Sequence, residues 1–183
     1  MTQQRNKVRI IGGQYRRRLL EVPAVEGLRP TPDRVRETLF NWLGQELDGL
    51  RCLDLFAGSG ALGFEAASRG AKEVVLVEKV RAVADTLHRN VQLLGATQIQ
   101  VLNQDASAYL SAGQGQFDVI FVDPPYASAL LAQVLPLLPA RLAAGGRVYV
   151  ETAAAREFAG WEVLRSIRAG LVHGYLLAQE SSI

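Results

Sequence analysis

One cysteine and two histidines among 183 residues leave little for thiol or metal chemistry. A single cysteine cannot close an internal disulfide, and His88 and His173 have no metal-ligand spacing, so no metal site is expected. Cys52 stands in the apolar run Leu50–Leu55 with no histidine in an activating motif nearby, and reads as core. Long apolar runs are missing as well. Stretches such as Val74–Val77 and Leu135–Leu138 are broken by charge or proline well short of the roughly 20 residues a bilayer crossing needs. The polar, basic start Met1–Arg9 is followed by neither an apolar run nor a small-residue cleavage site. A cytoplasmic protein with no membrane span is the expectation.

What is present is a chain that is 49% hydrophobic, long enough for one domain with a sizeable core and too short for two. Its net charge of +2 is unevenly spread. Residues 1–36 carry nine Arg or Lys against three acids, so the rest of the chain is net acidic. That asymmetry fits either an N-terminal segment that meets a polyanion or a solvated basic tail.

Val8–Ile11 and Arg16–Val22 are β-prone runs joined by Gly12-Gly13-Gln14-Tyr15, a predicted hairpin that would project Arg16, Arg17 and Arg18. Thr31-Pro32-Asp33 supplies an N-cap, a first-turn proline and an early acid ahead of Val35, Leu39, Trp42 and Leu43, which predicts a helix to about Leu47. Thereafter Leu50–Phe56, Val74–Glu78, Ile99–Asn103, Phe117–Val122 and Arg147–Glu151 read as strands. Helical patterns near Leu62–Arg69, Arg81–Leu94 and Ala129–Leu142 lie between them. Repeated β-α units imply a mostly parallel, doubly wound α/β sheet of the Rossmann type. The tail, Glu162–Arg168 and Leu171–Gln179, reads as an antiparallel hairpin. Residues 1–27 are expected to be a basic β-hairpin extension and 28–183 the catalytic domain.

Asp54-Leu55-Phe56-Ala57-Gly58-Ser59-Gly60-Ala61-Leu62-Gly63 ends the first of these strands and starts a helix. Glycines there let a ligand approach the backbone, but the spelling alone does not separate NAD from S-adenosylmethionine. Asp54 would repel a pyrophosphate and tolerates a ligand bearing an ammonium and a sulfonium, which favours the second. Glu78 could accept from two ribose hydroxyls, and Asp105 from an adenine amino group. Three acids at the carboxyl ends of three successive strands lie where open α/β sheets bind ligands.

Asp123-Pro124-Pro125-Tyr126 follows the fourth strand. The prolines fix the backbone and remove two donors, leaving a turn rich in acceptors. An exocyclic amine of a nucleobase has its lone pair delocalised into the ring and carries two N–H donors. Asp123 and the Pro124 carbonyl could accept from them, orienting the nitrogen and stabilising the charge that grows on it, while Tyr126 stacks on the base.

These motifs resemble those of class I methyltransferases that act on amino nitrogens. The run Leu28-Arg29-Pro30-Thr31-Pro32-Asp33-Arg34-Val35-Arg36-Glu37-Thr38-Leu39-Phe40-Asn41-Trp42-Leu43 further resembles the signature of the RsmD family, which methylates the 2-amino group of a guanine in bacterial 16S ribosomal RNA. The resemblance implies S-adenosylmethionine as cofactor, held by Asp54, Phe56, Gly58, Ser59, Gly60, Ala61, Glu78, Lys79, Asp105 and Ala106. It implies a target base held by Asp123, Pro124, Pro125 and Tyr126. It also implies RNA contacts from Arg16, Arg17, Arg18, Arg29, Thr31, Arg34 and Arg36, with 16S rRNA, free or in an assembling small subunit, as partner of a monomer. A DNA adenine or protein glutamine methyltransferase, a dinucleotide-dependent oxidoreductase and a non-catalytic RNA-binding module are the alternatives.

Overall fold

The computed structural model describes residues 7–113, 115–125 and 129–181. An antiparallel pair, β1 (Lys7–Arg9) and β2 (Leu19–Glu21), precedes helix α1 (Asp33–Trp42). The main sheet then begins: β3 (Arg51–Asp54), α2 (Ala61–Ser68), β4 (Glu73–Glu78), α3 (Arg81–Leu94), β5 (Ile99–Asn103), α4 (Ala106–Ala112), β6 (Phe117–Val122), α5 (Leu130–Val134), β7 (Leu142–Thr152), β8 (Trp161–Ala169) and β9 (Val172–Gln179).

Seven strands lie in the order β5-β4-β3-β6-β7-β9-β8. Pairings from β5 through β7 are parallel, and β9 and β8 close the sheet antiparallel. The alternation of side chains along each strand divides the core in two. Cys52, Val74, Leu76, Val119, Phe121 and Tyr149 face the layer of α1, α2 and α3. Leu53, Val75, Val77, Ile120, Val122, Val148 and Val150 face α4 and α5. This is the doubly wound Rossmann-like fold anticipated from the β-α alternation. Its switch point falls between β3 and β6, where the chain reverses its direction of travel across the sheet.

Four elements differ from expectation. Helix α1 stops at Trp42 rather than Leu47, because Gly44 (φ 93°) and Gln45 (φ 67°) turn left-handed and the Gln45 amide donates to the Phe40 carbonyl at 2.8 Å. Thr31 is not its cap: Pro32 occupies that position and no side chain caps the helix. The stretch expected as a helix over Ala129–Leu142 is one short α-helix and two 3-10 turns, since Pro136 and Pro139 remove two amide donors. Helix α4 was not anticipated; the Asp105 carboxylate starts it by accepting the Ala108 amide at 3.0 Å.

The strands of the N-terminal hairpin are shorter than expected because, beyond the backbone bonds that still join Ile10 to Arg17 and Arg18, residues 11–16 form a loop seated on the end of α2. Gln14 donates its amide to the Ser68 carbonyl at 2.7 Å, and Tyr15 donates to Ser68 Oγ at 2.9 Å. Val8, Ile10, Tyr15, Leu20 and Val22 join the core on the α2 side. Glu65, fully buried on α2, accepts the Ile11 and Gly12 amides at 3.0 and 2.8 Å and pairs with Arg36 at 3.3 Å and Arg69 at 3.0 Å.

Candidate active site

The glycine loop leaves β3 at Asp54 and enters α2 through two left-handed residues, Gly58 (φ 54°) and Gly60 (φ 79°). At Gly60 a Cβ would also lie 2.6 Å from the Phe64 ring, so the turn needs glycine on both grounds. Gly63 is required by close packing: a Cβ there would meet Leu76 Cδ2 at 2.2 Å. Its amide instead donates to Asp54 Oδ2 at 3.0 Å.

Two carboxylates bracket this loop. Asp54 is buried, and burial first, then the charges of Glu78 and Glu151, push its carboxyl up to about 8 against the opposing pull of the Gly63 amide. Glu78, half-buried at the end of β4, accepts the Gly58 amide at 2.9 Å and the Val80 amide at 3.0 Å, and so braces the loop. Phe56 packs against the core under the loop, Ser59 is buried, and Ala61 opens α2. Farther along the same edge, Asp105 Oδ1 is committed to capping α4. Its Oδ2 lies 3.9 Å from Lys79 Nζ, and Ala106 is buried beneath.

Asp123, Pro124 and Pro125 follow β6 directly; Tyr126 lies outside the described residues. Asp54 pairs with Phe121 across the switch point, so the Pro-Pro tip and the glycine loop spring from adjacent strand ends. On the other side of β6, Val122 pairs with Val150, which puts Asp123 beside Glu151. Asp123 is half-buried, and loss of hydration, followed by the charges of Glu151 and Asp54 and a hydrogen bond to Glu151, pushes its carboxyl well above the usual range.

Glu151 is a site residue that the sequence reading missed. A strand-terminal acid ordinarily faces water, yet this one is 3% exposed. Tyr149 donates its hydroxyl to Glu151 Oε1 at 2.9 Å, and Thr31 and Asp123 also hydrogen-bond to the carboxyl. Burial, the largest effect, raises its proton affinity above the usual carboxyl range, and those partners offset only part of the rise. Gly174, opposite Glu151 on β9, makes room for the tyrosine; a Cβ there would lie 2.6 Å from the Tyr149 hydroxyl. The sequence signal available was the acid one residue past the last β6–β7 pair, at the same level as Asp123.

The segment before α1 reaches over this centre. A Cβ on Gly58 would lie 2.9 Å from Leu28 Cδ1, and Thr31 bonds Glu151, while Arg29 and Arg34 are exposed nearby in the chain. Arg36 corrects the expectation that it meets RNA. It is 1% exposed, with its guanidinium donating to the Arg9 and Thr31 carbonyls at 2.9 and 3.1 Å and pairing with Asp33 and Glu65. A guanidinium satisfied on every side internally has nothing left for a phosphate. Arg16, Arg17 and Arg18 are exposed, but the loop that carries them docks on the C-terminal end of α2, and Arg18 donates to the Leu93 carbonyl at the C-terminal end of α3 at 3.2 Å. Helices α2 and α3 run back from the ligand edge of the sheet. The cluster therefore lies at the opposite edge, about 20 Å away by the length of a 14-residue helix.

A doubly wound sheet with a glycine loop and an acidic Pro-Pro tip on neighbouring strand ends defines the class I methyltransferases, and the chain is an enzyme of that class. More narrowly, residues 8–177 match the family model described as Conserved hypothetical protein 95, and the chain belongs to that family, the RsmD family. It is 43% identical over 181 residues to the ribosomal RNA small subunit methyltransferase D of Escherichia coli K12, covering 96% of this chain and 91% of that protein. It is 44% identical over 177 residues to the protein of the same name from Haemophilus influenzae, covering 92% of each. The solved structure of Escherichia coli yhhF superposes with a TM-score of 0.87 at 43% identity, over 97% of this chain and 100% of that one. Among the described residues no helix is long and apolar enough to cross a membrane.

Proposed function

We propose that the enzyme transfers a methyl group from S-adenosylmethionine to the exocyclic 2-amino group of a guanine in 16S ribosomal RNA, acting in the cytoplasm as a monomer on RNA that is free or in an assembling small subunit. The names of its curated relatives support small-subunit ribosomal RNA as the substrate. The residues present fit the cofactor: Glu78 and Asp105 beside a glycine loop, with the buried Asp54 behind it, suit a cationic ligand with ribose hydroxyls better than a pyrophosphate.

S-adenosylmethionine supplies an electrophilic methyl group on a sulfonium. The protein's task is to present the nitrogen. Gly58, Ser59, Gly60 and Ala61 would line the methionine end, with Phe56 alongside. Glu78, with Lys79 beside it, would hold the ribose, and Asp105 with Ala106 the adenine. Asp123 and the Pro124 carbonyl would accept the two N–H bonds of the amine, and Tyr126 would stack on the base. Arg29, Thr31 and Arg34 belong to the segment over the active centre, and Arg16, Arg17 and Arg18 would hold phosphates farther out.

The observation that carries this reading is the direct pairing of β3 with β6, which sets the acceptor tip next to the glycine loop. Replacing Asp123 by Ala is expected to lower kcat for methylation of small-subunit RNA by at least about a hundredfold while calorimetry shows cofactor affinity close to wild type. Unimpaired transfer by Asp123→Ala would defeat the amine-orienting role. Transfer to DNA adenine or to protein glutamine, with none to RNA, would defeat the substrate.

A further inference from the structure

Glu151 is a buried acid with no part in the reading above. It stands next to Asp123 on the neighbouring strand, accepts the Tyr149 hydroxyl at 2.9 Å, and is hydrogen-bonded by Thr31 from the segment that covers the centre. Two carboxyl groups that hydrogen-bond each other need a proton between them, since two carboxylates have only acceptors to offer. Both hydroxyl donors go to Glu151 and stabilise the charge there. The proton of the pair accordingly belongs on Asp123.

We propose that Glu151 is the positioning residue for Asp123: it holds the Asp123 proton, fixes the other Asp123 oxygen toward the target amine, and receives the charge balance when the amine sheds a proton. The inference rests on the methyl-transfer reading. As the nitrogen–carbon bond forms and the carbon–sulfur bond breaks, the amine nitrogen becomes cationic. One of its protons passes to that oxygen of Asp123, while the proton that Asp123 already held passes to Glu151. The nitrogen ends neutral, Glu151 ends protonated, and that proton returns to solvent before the next turnover. Through Thr31 the same carboxylate also ties the covering segment to the reacting group.

The groups facing Glu151 are Asp123 on β6, Asp54 on β3, Tyr149 on its own strand and Thr31 ahead of α1; its partner on β9 is the uncharged Gly174. Glu151→Gln keeps the shape and removes the charge. Titration of side-chain carboxyls by carbon-13 NMR, with no RNA present, is expected to show Asp123 and Glu151 as coupled steps in the wild type. In Glu151→Gln the Asp123 midpoint is expected to fall by about one pH unit or more. In the same variant kcat is expected to fall about a hundredfold with its pH profile displaced, KM for RNA staying close to wild type. Tyr149→Phe should move both readouts in related fashion but less far. An Asp123 midpoint and a kcat profile both unmoved by Glu151→Gln would overturn the inference. A wild-type protein whose carboxyls titrate as a coupled pair but which methylates no small-subunit RNA would defeat the assigned reaction and leave the pair intact.

Discussion

Asp54 is the residue at which burial and charge conflict most openly. Its carboxyl belongs near 3.8 in the unfolded chain and is pushed up to about 8 in the folded one. Between those values the folded protein holds a proton that the unfolded chain has released, so folding becomes less favourable as pH rises across that interval, and the loss is complete above about 8. Asp54→Asn preserves the acceptor for the Gly63 amide and has no charge to bury. Urea midpoints measured from about pH 5 to about pH 8 are expected to decline less steeply for Asp54→Asn than for wild type. Parallel declines would mean that Asp54 is ionised throughout.

At the scale of elements, the N-terminal hairpin, α1 and α2 are fastened by one side chain. Glu65 accepts two backbone amides and two guanidinium groups in a fully buried position. Removing one partner of a buried ion pair costs about 3–5 kcal/mol because the other charge is left uncompensated. Glu65→Ala is expected to lose stability in that range by chemical denaturation, with Glu65→Gln intermediate. Hydrogen exchange at the Ile11 and Gly12 amides should accelerate in both. Protected amides in Glu65→Ala would show that the hairpin holds on by its apolar contacts alone.

The same elements show what could be read without coordinates. β4, β5, β6 and α3 were legible because their apolar residues recur at the spacing of a strand or a helix and are bounded by turn residues. Helix α4 was hidden because Ala106–Ala112 is short, with small residues and no apolar stripe to mark a face. Arg36 was misread because an arginine in a basic run looks solvated; only the fold brings Glu65 to it. Glu151 was overlooked for the matching reason, since its neighbours Asp123 and Thr31 are distant in the chain. The glycine loop and the Pro-Pro tip, by contrast, carry their chemistry in consecutive residues. Local motifs survive reading as a string, whereas partners joined by the sheet do not.

Over the whole molecule, the basic cluster and the acidic centre occupy different places. The basic surplus of residues 1–36 faces outward in Arg16, Arg17 and Arg18, at the sheet edge opposite Asp123. An RNA that reaches both spans the height of the domain. Replacing those three arginines with Ala is expected to raise KM for RNA and to flatten the dependence of binding on salt, each lost phosphate contact removing nearly one unit of slope, while kcat stays near wild type. An unchanged slope would return the cluster to the role of a solvated tail.

Gly174 joins these scales. Because it lacks a side chain, the phenol of Tyr149 can lie flat against β9 and keep its hydroxyl on Glu151. The last strand of the domain thus bears on the acidic pair through a side chain it does not have. One added methyl group there would displace a ring, and the displacement would be passed on to the Glu151 carboxyl.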